Sequence, residues 1–196
     1  MPRPPDGQEI IFRATSEAGT YGLFAIGSDG TGLRAIGEPA KTTPADLSFQ
    51  DPVLSPDGTT IAYWNWEPKE AGATSSDNYL HVRDVTTGDD VPIQFAEDRF
   101  GLLAHYSPDG TMVVYETNAG AGQRLRFGSV DGSVPGRLIG PEYSYLVRHG
   151  FDFSPDGTKV VLFLASKSVL IDLVTDEWTD LDIASDFVSW QRLAKS

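Results

Sequence analysis

Five residues, Ser-Pro-Asp-Gly-Thr, occur three times in this chain, at Ser55–Thr59, Ser107–Thr111 and Ser154–Thr158, and a degraded copy, Pro-Pro-Asp-Gly-Gln, occupies Pro4–Gln8. The prolines stand at positions 5, 56, 108 and 155, so successive copies lie 51, 52 and 47 residues apart. A large apolar residue precedes each full copy (Leu54, Tyr106, Phe153), and a run rich in β-branched and aromatic residues follows every copy, as in TTIAYWNW, TMVVYETN and TKVVLFLA. Proline presets φ for the second position of a type I turn, aspartate suits the third, and glycine takes the left-handed position after it. Each copy therefore reads as a hairpin tip between two strands.

A second strand–turn–strand pattern follows each hairpin: YGLFAIGSDGTGLRAIG, NYLHVRDVTTGDDVPIQF, LRFGSVDGSVPGRLIG and SVLIDLVTDEWTDLDI. Four strands per repeat at this period is the pattern of propeller blades, each of which buries its faces against its neighbours. No segment has a helical period, and 20 glycines and 13 prolines argue against helices. The sequence thus predicts an all-β protein, a β-propeller or partial propeller of four repeats of four-stranded antiparallel blades. The blades fall at about 4–40, 50–96, 102–140 and 149–184. The first has almost nothing ahead of its turn and lacks an innermost strand. A C-terminal segment at 186–192 is of the innermost strand type that this blade lacks; the sequence leaves open whether it completes the first blade and closes the ring or the repeats form an open arc.

The stretches YSPDGTMVVY, FSPDGTKVVLF and LSPDGTTIAYW carry a resemblance to the TolB-like, WD-repeat-like β-propellers of bacteria. The resemblance covers nearly the whole chain. It implies an interaction scaffold, commonly outside the cytoplasm, although no signal peptide is read at this chain's start. The motif residues themselves are turn and core positions, and one fold hosts many functions.

Charge and composition narrow the partners. Fifteen basic against 28 acidic residues give a net charge of −13. Such a chain repels phosphate backbones, and its arginines are too scattered for a basic patch, so nucleic acid is not expected. No apolar run reaches the ~18 residues of a membrane helix, so no membrane insertion is expected. With no cysteine there are no disulfides and no thiolate chemistry.

Candidate chemistry is sparse. The Asp-Gly pairs (Asp6, Asp29, Asp57, Asp109, Asp131, Asp156) lack the alternating oxygen ligands of a calcium loop and read as turn chemistry. Neither IGSDG nor FGSVDG has the glycine spacing of a nucleophile elbow. The histidines (His81, His105, His149) occupy different places in their repeats, so no metal, cofactor or catalytic residue is expected. The long connections from second to third strand and from blade to blade emerge on one rim, and binding is placed there. That rim carries Trp64, Trp66, Glu67, Arg99, Phe100, Tyr143, Tyr145, Arg148 and His149, residue types that anchor recognition surfaces. For Trp64 and the tyrosines, packing against neighbouring blades is the alternative. Asp51, His105 and Asp152 are expected at the channel mouth. Trp178 and Trp190 read as structural. The expectation is a non-catalytic scaffold that recognises a protein or peptide by its long-loop rim. The alternative is an enzyme or carbohydrate-binding propeller with its site at the channel mouth.

Overall fold

In a computed structural model, residues 9–15, 21–36, 50–68, 76–93, 101–119, 121–144, 150–164, 166–183 and Trp190 are described. Every regular element among them is a strand. The first sheet contains β1 (Glu9–Thr15), β2 (Tyr21–Gly27) and β3 (Arg34–Ala35). The second contains β4 (Gln50–Leu54), β5 (Thr60–Pro68), β6 (Ser76–Asp84) and β7 (Asp90–Ile93). The third contains β8 (Gly101–Tyr106), β9 (Met112–Ala119), β10 (Gly122–Ser129) and β11 (Arg137–Tyr143). The fourth contains β12 (Gly150–Phe153), β13 (Lys159–Leu164), β14 (Lys167–Asp172) and β15 (Trp178–Asp180). Each sheet is an antiparallel meander in chain order, four-stranded except for the three-stranded first. Among the described residues the first sheet holds β1, β2 and β3 alone.

Each Ser-Pro-Asp-Gly-Thr copy folds into the same hydrogen-bonded device. In the second sheet the Ser55 hydroxyl donates to Asp57 Oδ1 at 2.6 Å. That oxygen also accepts from the Thr59 amide at 3.0 Å and the Thr59 hydroxyl at 2.9 Å. The Thr60 amide, the first of the next strand, donates back to Ser55 Oγ at 3.0 Å. Ser107, Asp109, Thr111 and Met112 repeat the pattern, as do Ser154, Asp156, Thr158 and Lys159. The flanking glycines have φ of 77°, 76° and 71°, a region that only glycine occupies without strain. So the serine and threonine of the motif are as mechanical as its proline and glycine.

Adjacent turns also touch. A Cβ on Gly110 would stand 3.5 Å from Pro56 Cδ, and one on Gly157 would stand 3.3 Å from Pro108 Cδ. The proline of each turn therefore lies on the glycine of the next, which spaces the blades along this rim.

Alternation along the strands sends side chains to opposite seams. On β5, Ile61 and Tyr63 join Ile11, Leu23 and Ala25 of the first sheet, while Ala62 and Trp64 join Ala104, Tyr106 and Tyr115 of the third. A third cluster unites Val114, Leu125 and Ile139 with Phe151, Leu162 and Ile171. Among the described residues three apolar seams join four sheets in sequence, and no such cluster joins the fourth sheet to the first. The expected strand at 186–192 lies outside the described residues except for Trp190. The backbone amide of Trp190 donates to Asp152 Oδ2 at 3.4 Å, which puts it beside β12.

Two local departures from ideal pairing have visible causes. The register of β8 against β9 shifts between Leu102 and Ala104, where Leu103 takes φ of 42°. β11 runs on to Tyr143, past the blade edge expected at 140, because Gly140 turns with φ of 66° and its carbonyl is held by Arg124 Nε and Nη2 at 3.1 and 2.7 Å. Ile171 of the fourth sheet fills the space a side chain at Gly140 would need, 2.5 Å from a Cβ placed there.

The turn carboxylates make stability acid-sensitive in a defined direction. Hydrogen bonds from Ser154 and Thr158 hold Asp156 down at about 2, against an ordinary 3.8. Asp57 and Asp109 are lowered by the same donors, their serine hydroxyls first. A depressed carboxylate contributes stability that is whole above its unfolded value and lost as pH falls through the folded one. The urea midpoint of the protein should therefore drop as pH falls from about 4 towards about 2. In a variant carrying Asp57→Asn, Asp109→Asn and Asp156→Asn the midpoint should be lower at neutral pH and flatter across that window; parallel profiles would contradict the assignment.

Candidate functional site

Of the residues expected on the long-loop rim, two with described side chains lie beneath it, not on it. Trp64 is 2% exposed and packs edge-on against Tyr115 with centroids 5.3 Å apart. It also lies over Gly101, where a Cβ would come within 2.0 Å of its ring. Tyr143 is buried, and its hydroxyl donates to Oε1 of Glu116, itself fully buried, at 3.1 Å. Burial, then the Glu116 charge and hydrogen bond, push the Tyr143 phenol well above its ordinary range. Both residues are inter-blade packing, the alternative that the sequence left open for them. Trp66 and Glu67 lie on β5 and Asp51 on β4. Arg99, Phe100, Tyr145, Arg148 and His149 lie outside the described residues.

His105 and Asp152, expected at the channel mouth, come from neighbouring innermost strands. The His105 ring lies 4.8 Å from the ring of Phe151, tilted by 54°. Burial lowers the His105 pKa, and the Asp152 charge offsets only part of that. Burial thus disfavours the charged imidazole, which packs against an aromatic ring. Among the described residues no group of three or more histidine, aspartate or glutamate side chains could hold a metal ion.

A buried polar network, which sequence reasoning missed, joins the first two sheets. Tyr63 donates to Asp90 Oδ2 at 2.5 Å, and Arg83 Nη2 donates to the same oxygen at 3.0 Å. His81 Nδ1 lies 3.4 Å from it, and its ring stacks on Tyr63 with centroids 5.5 Å apart. Burial alone would raise the Asp90 carboxyl, but His81, Tyr63 and Arg83 outweigh it and leave it below its ordinary value. Arg83 Nη1 reaches the Ile36 carbonyl at 3.2 Å, while Arg34 Nη1 of the first sheet reaches the Val85 carbonyl at 3.5 Å. The network is a two-way lock between blades. Only the strand register makes it visible: His81 opposes Tyr63, and Asp90 opposes Arg83.

The opposite rim, made of tight turns, offers more open surface than the sequence suggested. Each blade exposes an aliphatic side chain in or beside the turn into its outermost strand: Leu33 at 63%, Val91 at 62%, Val134 at 50% and Val174 at 79%. On the same perimeter Trp178 is 46% exposed, with Lys167 Nζ 5.7 Å from its ring centre. Between the second and third sheets the perimeter opens into a groove of about 550 Å³. Val82, Val91, Pro92, Ile93 and Val130 form its apolar lining, and Asp84, Asp89 and Asp131 its charged margin. A smaller depression of about 330 Å³ lies between the turns at Ser107–Met112 and Pro155–Gly157.

No family model matches the sequence, and no curated protein matches it at the level of sequence. Solved structures do match. TolB from Acinetobacter baumannii superposes with a TM-score of 0.64 at 17% identity, over 92% of this chain and 42% of that one. Puromycin hydrolase gives 0.67 at 21% identity, over 92% of this chain and 30% of that one. Nidogen, in a complex with laminin, gives 0.64 at 10% identity, over 93% of this chain and 64% of that one. The chain thus spans less than two thirds of each. The class these likenesses define is the β-propeller, in meander blades. Within that class the fold is TolB-like, as the Ser-Pro-Asp-Gly turns led one to expect.

If Trp64 is packing and not surface, truncation must be costly. Trp64→Ala should lower the unfolding free energy by about 3–5 kcal/mol in urea titrations. Gly101→Ala should lower it by about 1–3 kcal/mol, because the added methyl overlaps the indole. A loss below about 0.5 kcal/mol for Trp64→Ala would return that residue to the surface.

Proposed function

We propose that this protein is a non-catalytic binding scaffold whose partner is a protein or peptide, engaged along the outer perimeter of the tight-turn rim. One observation carries the reading: each of the four blades exposes an aliphatic side chain in or close to the connection into its outermost strand, Leu33, Val91, Val134 and Val174. Single exposed aliphatics are ordinary on any surface. A row repeated blade by blade on one rim of a stiff scaffold is an arrangement for contact with another chain. A structural likeness supports the same reading, since nidogen is seen bound to laminin. The likeness to puromycin hydrolase is one of fold, over 30% of that chain, and brings no activity with it. Tyr63, His81 and Arg83, with Asp90 at their outer end, hold the first two blades together, and His105 packs against Phe151, so these groups serve packing in this reading.

Selection of a random peptide display library on the immobilised protein tests this. Counter-selection uses a variant with Leu33, Val91, Val134 and Val174 all changed to serine, surface changes that should each alter stability by less than about 0.5 kcal/mol. Peptides should be recovered that bind the parent at least about tenfold more tightly than the variant by calorimetry, a difference of ~1.4 kcal/mol. Recovery of no peptide that distinguishes the two proteins would overturn the reading.

A further inference from the structure

The groove between the second and third sheets has a margin of carboxylates that no cation pairs among the described residues. Several other outer carboxylates are paired, Glu9 with Arg34, Asp90 with Arg83, Asp172 with Lys159, Asp176 with Arg137 and Asp180 with Lys167, while Asp29 of the first sheet is held by Thr31 alone. Asp84, Asp89 and Asp131 are held by neutral donors only. Asp84 Oδ1 accepts the amides of Thr86 and Thr87 at 2.7 Å each. Asp89 Oδ2 accepts the Thr87 hydroxyl at 2.8 Å, and Asp131 Oδ1 accepts the Ser133 amide at 2.9 Å. These contacts fix the carboxylates in place and leave their charge uncompensated. The backbone amides of Thr87 and Thr86 lower Asp84, and Ser133 with Ser129 lowers Asp131 to about 2, so both stay ionised at any physiological pH. Among the described residues no lysine or arginine lines the groove.

Between these charges the surface is apolar. Val91 is 62% exposed, while Ile93 beyond it is buried in the seam with Leu80 and Tyr106. The edge strand itself is a poor template for another strand. The Asp84 amide bonds to the Asp89 carbonyl, so two residues on it is Val91 that bonds inward to Val82, and Asp90 and Pro92 that face outward. Proline has no amide to offer there, a device that blunts exposed edges. Recognition at this place therefore falls to side chains.

We propose that the groove binds a short extended peptide segment that carries an aliphatic side chain flanked by lysine or arginine. The aliphatic group covers Val82 and Val91, and the flanking cations pair with Asp89 and Asp131. This rests on the peptide-binding reading above and deepens it. Complementary charge supplies orientation and selectivity against acidic segments, and makes the contact sensitive to salt.

Fluorescence anisotropy with two labelled peptides, Gly-Lys-Leu-Arg-Val-Lys-Gly and Gly-Glu-Leu-Glu-Val-Glu-Gly, tests the proposal. The cationic peptide should bind saturably, and the acidic one at least about tenfold more weakly. The double variant Asp89→Asn, Asp131→Asn keeps an acceptor at both positions and should bind the cationic peptide about tenfold more weakly than the parent. Val91→Ser should weaken it by several-fold, or about threefold. The double variant Glu142→Gln, Glu177→Gln changes net charge equally but at exposed positions that do not line the groove, and should change binding by less than about twofold. Absence of saturable binding, equal binding of the two peptides, or equal losses in both double variants would overturn the proposal. Peptides won from the library that bind equally to the Asp89→Asn, Asp131→Asn variant would overturn it too, while leaving the scaffold reading intact.

Discussion

In three of the four blades, one carboxylate oxygen organises the turn on which the following strand is built. In each Ser-Pro-Asp-Gly-Thr turn, aspartate Oδ1 gathers a serine hydroxyl, a threonine amide and a threonine hydroxyl, all within 2.5–3.1 Å. Charge-assisted hydrogen bonds of this kind are stronger than neutral ones. The serine, fixed by donating, accepts the first amide of the following strand and so sets where that strand begins. The turn therefore fixes register as well as direction, and with register the face on which every later side chain emerges. Pro56 on Gly110 and Pro108 on Gly157 then carry the spacing from one blade to the next.

From that constraint the two rims acquire different characters. Beneath the long-loop rim the inter-blade space is filled by Trp64 over Gly101 and by Tyr143 on Glu116. At the tight-turn rim a groove stays open beside Val91, between the outermost strand of the second sheet and the Val130–Gly132 turn of the third. Polar locks hold that perimeter in place: Arg137 of the third sheet bonds to the Leu173 carbonyl of the fourth at 2.6 Å and pairs with Asp176. Recognition on this rim would thus rest on a surface already fixed by turns and ion pairs, with little ordering left to occur on binding.

The blades were legible because turn chemistry is local: proline, aspartate and glycine act within five residues, and the sequence alone places Leu54, Tyr106 and Phe153 against them. The division of the site was less so. In a propeller both faces of a strand are buried, so a tryptophan such as Trp64 looks the same whether it fills a seam or stands on a rim. Its placement depends on Gly101, 37 residues away in the sequence. The lock among Tyr63, His81, Arg83 and Asp90 depends likewise on the pairing of three strands. The exposed row was hidden for the opposite reason. Leu33, Val134 and Val174 are solitary aliphatics among turn residues, and their exposure is visible only once the strands on either side are folded.

Amide hydrogen exchange at Thr60, Met112 and Lys159 tests the central claim most directly, since each of these amides donates to the serine of its turn. If the turn carboxylates organise the blades, these three amides should exchange as slowly as those at the strand centres, at rates set by global unfolding. Ser→Ala substitution in one turn should release the amide of that turn alone. Exchange at all three positions at the rate of unprotected peptide amides would contradict the account.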